Sequence, residues 1–190
     1  YSQAYMERLK GRIAYLETSR GCPFSCSFCL SGVKEKVRFF EMERAKENLV
    51  RLANSGAKTI KFIDRTFNCH PDRAYELLSF ILDQRGQTFP EDVCFHFEVG
   101  ADLFQPRFLA LLATAPPGLI QIEAGLQSFC ETTLEAVDRK TDLTVLTENL
   151  RQCIRPHNVH VHIDLIAGLP YEDYKTFAAY FNSAFALRPH

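Results

Sequence analysis

Five short runs rich in β-branched and aromatic residues, "RIAYLET", "KTIKFID", "VCFHFEV", "GLIQIEAGL" and "VHVHIDLIAGL", alternate with longer segments of helical period. This is the pattern of repeated strand and helix units around a parallel sheet. After the first run, Met42, Ala45, Leu49 and Leu52 share one helix face that ends near "NSG". Pro71 opens the second helix without losing a needed donor, and Ala74, Leu77, Leu78 and Ile81 form its buried stripe. "PRFLALLATA" makes the third helix, and "PPG" stops it. Thr132 to Ile154 reads as a helical region broken near "RKTD", where Asp142 caps a second piece that buries Leu143, Leu146 and Leu150. "EDYKTFAAYFNSAFAL" is the last helix, and Phe104 and Phe108 belong to the core. The fold class is α/β, a partial (β/α) barrel with five strand–helix units.

Composition narrows the function. With 190 residues and 46% apolar content, one ordinary core is expected. The net charge is −1 with Lys and Arg scattered, which argues against a nucleic-acid partner. No apolar run is long enough to span a bilayer and nothing resembles a signal peptide, so a soluble cytoplasmic protein is expected. Seven cysteines, an odd number in a domain of this size, fit a reducing compartment better than a disulfide framework. The chain opens on Tyr1 and stops at "ALRPH" directly after a helical pattern, and so reads as a piece of something longer.

In such barrels functional groups gather at the carboxyl ends of the strands. Arg20 and a cysteine loop follow the first strand, and Asp64 follows the second. Glu98 and Asp102 follow the third, Glu123, Gln127 and Ser128 the fourth, and Gly168 the fifth. The loop "SRGCPFSCSFCLSG" sets Cys22, Cys26 and Cys29 at CxxxCxxC spacing. Thiolates select zinc, copper(I) and iron–sulfur clusters, and a closed zinc site normally takes four ligands. Three thiolates on a cubane leave one iron open to an outside ligand. The alternative is a structural zinc completed by Cys69, His70, Cys94 or His96, in a binding module without catalysis. Cys69, Cys94, Cys130 and Cys153 otherwise pack as small hydrophobes, with Cys69 on the active face. His96, His160 and His162 point either into the barrel or toward the helices. Glu98 and Glu123 are cofactor contacts or structural partners of Arg20 or Lys61.

"CPFSCSFC" resembles the cluster loop of the radical S-adenosylmethionine enzymes, and "FIDRTFN", "IEAGLQS" and "DLIAGLPYED" are similar to later strand-end motifs of their cobalamin-linked branch. The resemblance implies a six-stranded partial barrel, of which five units are present and the sixth is missing. It implies a [4Fe–4S] cluster on Cys22, Cys26 and Cys29, with S-adenosylmethionine on its open iron and a 5′-deoxyadenosyl radical as the product of cleavage. Carried onto matching positions, it puts Phe28 near adenine, Asp64 near the methionine ammonium, and Glu123, Gln127 and Ser128 in a polar wall. Arg139 becomes a carboxylate clamp, and Ile166 and Gly168 an adenine shelf. Residues 1–190 would be the core domain, with a cobalamin-binding domain before it and a further domain after it, so that cobalamin is not bound by this chain. The fifth strand would be left with an unpaired edge. Expected partners are a small-molecule or peptide substrate and an electron donor such as flavodoxin or ferredoxin, with no nucleic acid and no membrane. The reaction is of Fe–S oxidoreductase or methyltransferase type, with methylthiotransfer as a further alternative.

Overall fold

The structure, a computed structural model, describes residues 1–30 and 36–190; the end of the quoted cysteine loop, Ser31 and Gly32, lies outside them. Five parallel strands form one sheet in sequential order: β1 (Ile13–Leu16), β2 (Thr59–Phe62), β3 (Cys94–Val99), β4 (Ile120–Gln127) and β5 (His160–Leu165). The crossovers are α1 (Met42–Ala53), α2 (Pro71–Gln84), α3 (Pro106–Leu112) and the pair α4 (Glu131–Ala136) and α5 (Leu143–Ile154), and α6 (Tyr174–Phe185) follows β5. The five-unit partial barrel read from the alternation is therefore the fold.

Local chemistry sets the helix starts. The Asp142 carboxylate accepts from Val145 N at 2.9 Å, and Asp173 accepts from Thr176 N at 2.8 Å, each satisfying a first-turn donor that has no partner within the helix. Pro71 occupies the first turn of α2, where the missing N–H costs nothing. The stripes then bury as the spacing requires: Ala45, Leu49 and Leu52 on α1, and Ala74, Leu77, Leu78 and Ile81 on α2. Met42 and Leu143, at the starts of α1 and α5, are only partly buried against the core.

The strand register divides the sheet into two unlike faces, because successive side chains point to opposite sides. Toward the helices go Ala14, Leu16, Ile60, Phe62, Phe95, Phe97, Val99, Ile120, Ile122, Ala124, Leu126 and Val161, none more than 6% exposed. The other, concave face carries Lys61, His96, Glu98, Gln121, Glu123, His160, His162 and Asp164. Neighbouring strands set Lys61 beside His96, Glu98 beside Glu123, and Glu123 beside His162. Closed barrels of this type usually fill their interior with branched apolar side chains. Here the interior is polar, and the strand histidines all belong to it.

The outer edge of β5 is partly paired, contrary to the expectation from sequence. His190 N donates to Val161 O at 3.0 Å, and Val161 N donates to His190 Nδ1 at 3.3 Å.

Candidate active site

The cysteine loop leaves the top of β1 between two short strands, Ser19–Arg20 and Arg38–Phe39, which pair antiparallel and close its base. Beneath that base lies Asp64, just past β2. Its carboxylate accepts from Thr18 N at 2.7 Å, Thr18 Oγ1 at 2.5 Å and Ser19 Oγ at 2.8 Å. Asp64 is 1% exposed, Thr18 1% and Ser19 3%. Burial pushes its carboxyl above the ordinary aspartate range, although the hydrogen bonds pull the other way. This corrects its assignment as a ligand for an ammonium: its acceptors are taken up by the loop, and it does not face the cavity.

The three thiols occupy different settings. Cys22 is half-buried with Sγ 3.5 Å from Thr66 Oγ1, Cys26 is buried with Sγ 3.9 Å from Arg139 Nη1, and Cys29 is exposed, its N–H donating to Cys26 O at 3.0 Å. Among the described residues no group of three His, Cys, Asp or Glu side chains is gathered as a metal site. A shared cluster therefore requires the loop to draw its thiols together. The donor set suits one: three thiols on one loop, beside a guanidinium that can donate to a ligated sulfur. Three of the candidate fourth ligands of a zinc site are placed or engaged elsewhere. His70 caps α2, and His96 Nε2 lies 3.1 Å from Glu123 Oε2. Cys94 starts β3, at the end of the strand away from the loop. The Cys69 thiol is half-buried and pushed up to about 11, by burial first and by Cys22 and Asp64 after it.

At the carboxyl ends of the strands is a cavity of about 130 Å³, lined by Phe24, Arg65, Thr66, Glu98, Glu123, Gln127, Arg139 and Asp164, together with Val99, Gly100 and Gly125. Three expected site residues, Glu123, Gln127 and Arg139, meet there. Arg139 Nη2 donates to Gly125 O at 2.8 Å, and its guanidinium stands 5.2 Å from the Phe24 ring centroid. Its Nε is buried without a hydrogen-bond partner. A Cβ at Gly125 would meet the amide end of the Gln127 side chain, which would have to move aside, and Gln127 itself sits at φ 69° where the strand register shifts.

Below this rim Lys61 Nζ lies 3.3 Å from Glu98 Oε1 and 3.2 Å from Glu123 Oε2. Burial draws the Lys61 ammonium down, but the two carboxylates outweigh it and hold it above the ordinary lysine value. His96 is held below the usual histidine value, first by burial and then by Lys61. Asp164 is raised by burial and by Glu123. Lys61, not Arg20, is thus the partner of both glutamates; Arg20 pairs with Glu17.

The remaining expected residues fall outside the cavity lining. Phe28 is 37% exposed, and the aromatic ring at the cavity is Phe24. Ser128 is buried, donating to Glu172 and accepting from Cys130 N, which corrects its place in the polar wall. Ile166 is half-buried, its N–H donating to Gln127 O at 3.0 Å, and Gly168 is exposed at φ 85°. Asp102 also lies off the cavity. Sequence reading missed Phe24, Arg65, Thr66 and Asp164. Only Asp164 had a usable signal, since period-two alternation puts it on the face of His160 and His162.

A parallel strand–helix sheet with a three-thiol loop at the top of its first strand defines a class of cofactor-dependent barrel enzymes. Residues 16–184 match the family model of the Radical SAM superfamily, and the chain belongs to that family. The cobalamin-dependent radical SAM methyltransferase TokK of Streptomyces tokunonensis is 30% identical over 169 residues, covering 86% of this chain and 24% of that protein. The 2-(S-pantetheinyl)-carbapenam-3-carboxylate methyltransferase of Streptantibioticus cattleyicolor matches with the same identity and coverage. The chain spans about a quarter of the length of these curated relatives. The radical S-adenosylmethionine methyltransferase TsrM of Kitasatospora setae, solved with tryptophan and a SAM analogue, superposes with a TM-score of 0.81 at 20% identity, over 98% of this chain and 35% of that one. Members of the family bind a [4Fe–4S] cluster and S-adenosylmethionine. Among the described residues no helix is long and apolar enough to cross a membrane.

Proposed function

We propose that this chain is the core of a radical S-adenosylmethionine enzyme that holds a [4Fe–4S] cluster on Cys22, Cys26 and Cys29 and generates a 5′-deoxyadenosyl radical. The observation that carries this is the position of Arg139, whose guanidinium lies beside Cys26 Sγ and also lines the strand-end cavity. One residue thereby joins the thiol loop to the place where S-adenosylmethionine would lie. When bound, the cluster supplies the electron that cleaves the sulfonium. The chain's own part is to bind and orient. Arg139 and Gln127 offer donors, Glu123 and Glu98 offer acceptors, and Phe24 supplies an apolar face and helps exclude water.

Around this core we place a cobalamin-binding domain before residue 1 and a further domain after residue 190, so that corrinoid is not held by this chain. The relatives' names favour methyl transfer over methylthiotransfer. The substrate is a small molecule or a peptide, the electron comes from a flavodoxin- or ferredoxin-type donor, and the protein acts in the cytoplasm without a nucleic-acid partner.

The test is anaerobic reconstitution of the full-length protein with iron and sulfide. About four irons and four sulfides per chain, lost in Cys22→Ala, Cys26→Ala and Cys29→Ala, support the proposal. One tightly held zinc without sulfide, or a normal cluster spectrum in all three variants, overturns it.

A further inference from the structure

The turn after β2, Asp64 to Asn68, is built almost wholly from residues that the fold itself uses. Asp64, Thr66, Phe67 and Asn68 are all buried. Asp64 anchors the base of the cysteine loop, and Thr66 Oγ1 lies 3.5 Å from Cys22 Sγ. The Phe67 ring packs 4.3 Å from that of Phe97 and 5.3 Å from that of Phe62, and Asn68 exchanges two hydrogen bonds with Gly100. Arg65 is the exception: it is exposed and lines the strand-end cavity. Thr66 Oγ1 donates to Arg65 O at 2.8 Å, which fixes the backbone that carries the guanidinium. Among the described residues the Arg65 side chain has no ion pair and no hydrogen bond. The two glutamates of the same lining do not neutralise it, since Glu98 and Glu123 are both held by Lys61. A turn of immobilised neighbours therefore presents one guanidinium to the cavity for which the fold has no use.

We propose that Arg65 binds a carboxylate of the substrate, so that the molecule acted on is a small organic acid. The inference rests on the proposed function and names the substrate class of that same site. Two guanidiniums line the cavity, Arg65 on the turn after β2 and Arg139 between α4 and α5. S-adenosylmethionine has a single carboxylate, and Arg139, tied to Gly125 O and beside Cys26 Sγ, is placed to hold it next to the thiol loop. The ammonium and the sulfonium of the cofactor are cations, which a guanidinium repels. S-adenosylmethionine thus leaves Arg65 without an anion, and the second reactant has to bring one. A carboxylate suits it best, because the planar fork of a guanidinium gives two parallel hydrogen bonds that orient the acid as well as hold it. A neutral analogue of the same shape would lose those bonds and is rejected on that account.

The experiment uses the full-length reconstituted protein with S-adenosylmethionine bound, titrated with benzoate at fixed ionic strength and followed by ligand-detected NMR. Benzamide serves as the uncharged analogue and inorganic phosphate as a second oxyanion. Benzoate is expected to bind about tenfold more tightly than benzamide. Arg65→Gln should weaken benzoate by about tenfold, abolishing that preference, while benzamide and S-adenosylmethionine affinities stay within about twofold. Arg65→Lys, which keeps the charge but not the fork, should fall between the two. A damaged fold would lower all these affinities together, whereas the proposal requires the ratio of benzoate to benzamide to change alone. Equal benzoate affinity in wild type and Arg65→Gln, or no preference for benzoate over benzamide in the wild type, overturns the assignment. Phosphate bound more tightly than benzoate and dependent on Arg65 overturns the carboxylate in favour of a phosphate ester. A wild-type protein that holds no cluster or no S-adenosylmethionine overturns the proposed function instead, so the two failures are distinguishable.

Discussion

Removing the Asp64 carboxylate tests whether it is a scaffold residue or a cofactor ligand, and the two roles predict different things. The carboxylate accepts three hydrogen bonds from Thr18 and Ser19, all of them buried. In Asp64→Ala the Thr18 amide loses its partner in a site that water does not reach, at about 1 to 3 kcal/mol, and the two hydroxyls can regain only part of their bonding by rotation. The expected loss is about 3 to 5 kcal/mol in urea denaturation of residues 1–190. Asp64→Asn keeps the shape and one acceptor, and its amide can donate to the reoriented hydroxyls, so the loss falls to about 1 to 2 kcal/mol. S-adenosylmethionine affinity of the reconstituted full-length Asp64→Asn protein should stay within about twofold of wild type, since the side chain does not face the cavity. The pH dependence has a definite sign. The folded-state carboxyl is raised, so the native protein holds its proton more tightly than the unfolded chain. Its contribution to stability is greatest below the unfolded aspartate value, falls as pH rises toward the raised native value, and is constant above it. A large drop in affinity for Asp64→Asn with stability unchanged would refute this reasoning.

Other perturbations separate support from binding. Asn68 exchanges two buried hydrogen bonds with Gly100, Nδ2 to O at 2.7 Å and Gly100 N to Oδ1 at 2.9 Å, so Asn68→Ala should cost about 2 to 4 kcal/mol and raise hydrogen exchange at Gly100. Arg139→Met keeps the length but removes the bonds to Gly125 and Cys26, and should weaken S-adenosylmethionine binding by about 1.5 to 3 kcal/mol in equilibrium dialysis; unchanged affinity would leave Arg139 a purely structural tie. Lys61→Met leaves Glu98 and Glu123 facing each other on adjacent strands and should cost about 1 to 3 kcal/mol, recovered largely by Lys61→Arg, as read from denaturation midpoints.

The parts of this molecule that repeat were readable in its sequence. Each strand is a short run of branched and aromatic residues, each main helix carries a stripe at helical spacing, and stops such as "PPG" are local chemistry. Asp142 was recognisable as a cap because a cap needs only its own neighbours. The site was less legible because its residues were chosen by nearness to a strand end, and nearness does not fix the direction of a side chain. Asp64 and Ser128 both sit at strand ends, yet each turns into the protein, Asp64 to accept from Thr18 and Ser19 and Ser128 to accept from Cys130 N and donate to Glu172. Phe28 and Phe24 are separated by one turn of an irregular loop, and no periodicity says which ring reaches the cavity.

The two faces of the sheet show how one local rule serves both fold and function. Alternation sends every second residue of β2 to β5 to the helices, where apolar burial holds the partial barrel together. The residues between them are thereby free of most packing duty, and apart from Thr59, Cys94 and Gly125 they are lysine, histidine, glutamate, glutamine and aspartate. Unpaired, such groups would destabilise a half-buried surface, and the Lys61 contacts to Glu98 and Glu123 and the Gln121 contact to His162 offset that cost. The cross-strand register that brings Glu98 level with Glu123 is the same register that buries Phe97 beside Ile122, so a one-residue slip would lose the core and the cavity floor together. The apolar face therefore fixes the position of the polar one, and the carboxylates at the cavity are held in place by the core beneath them.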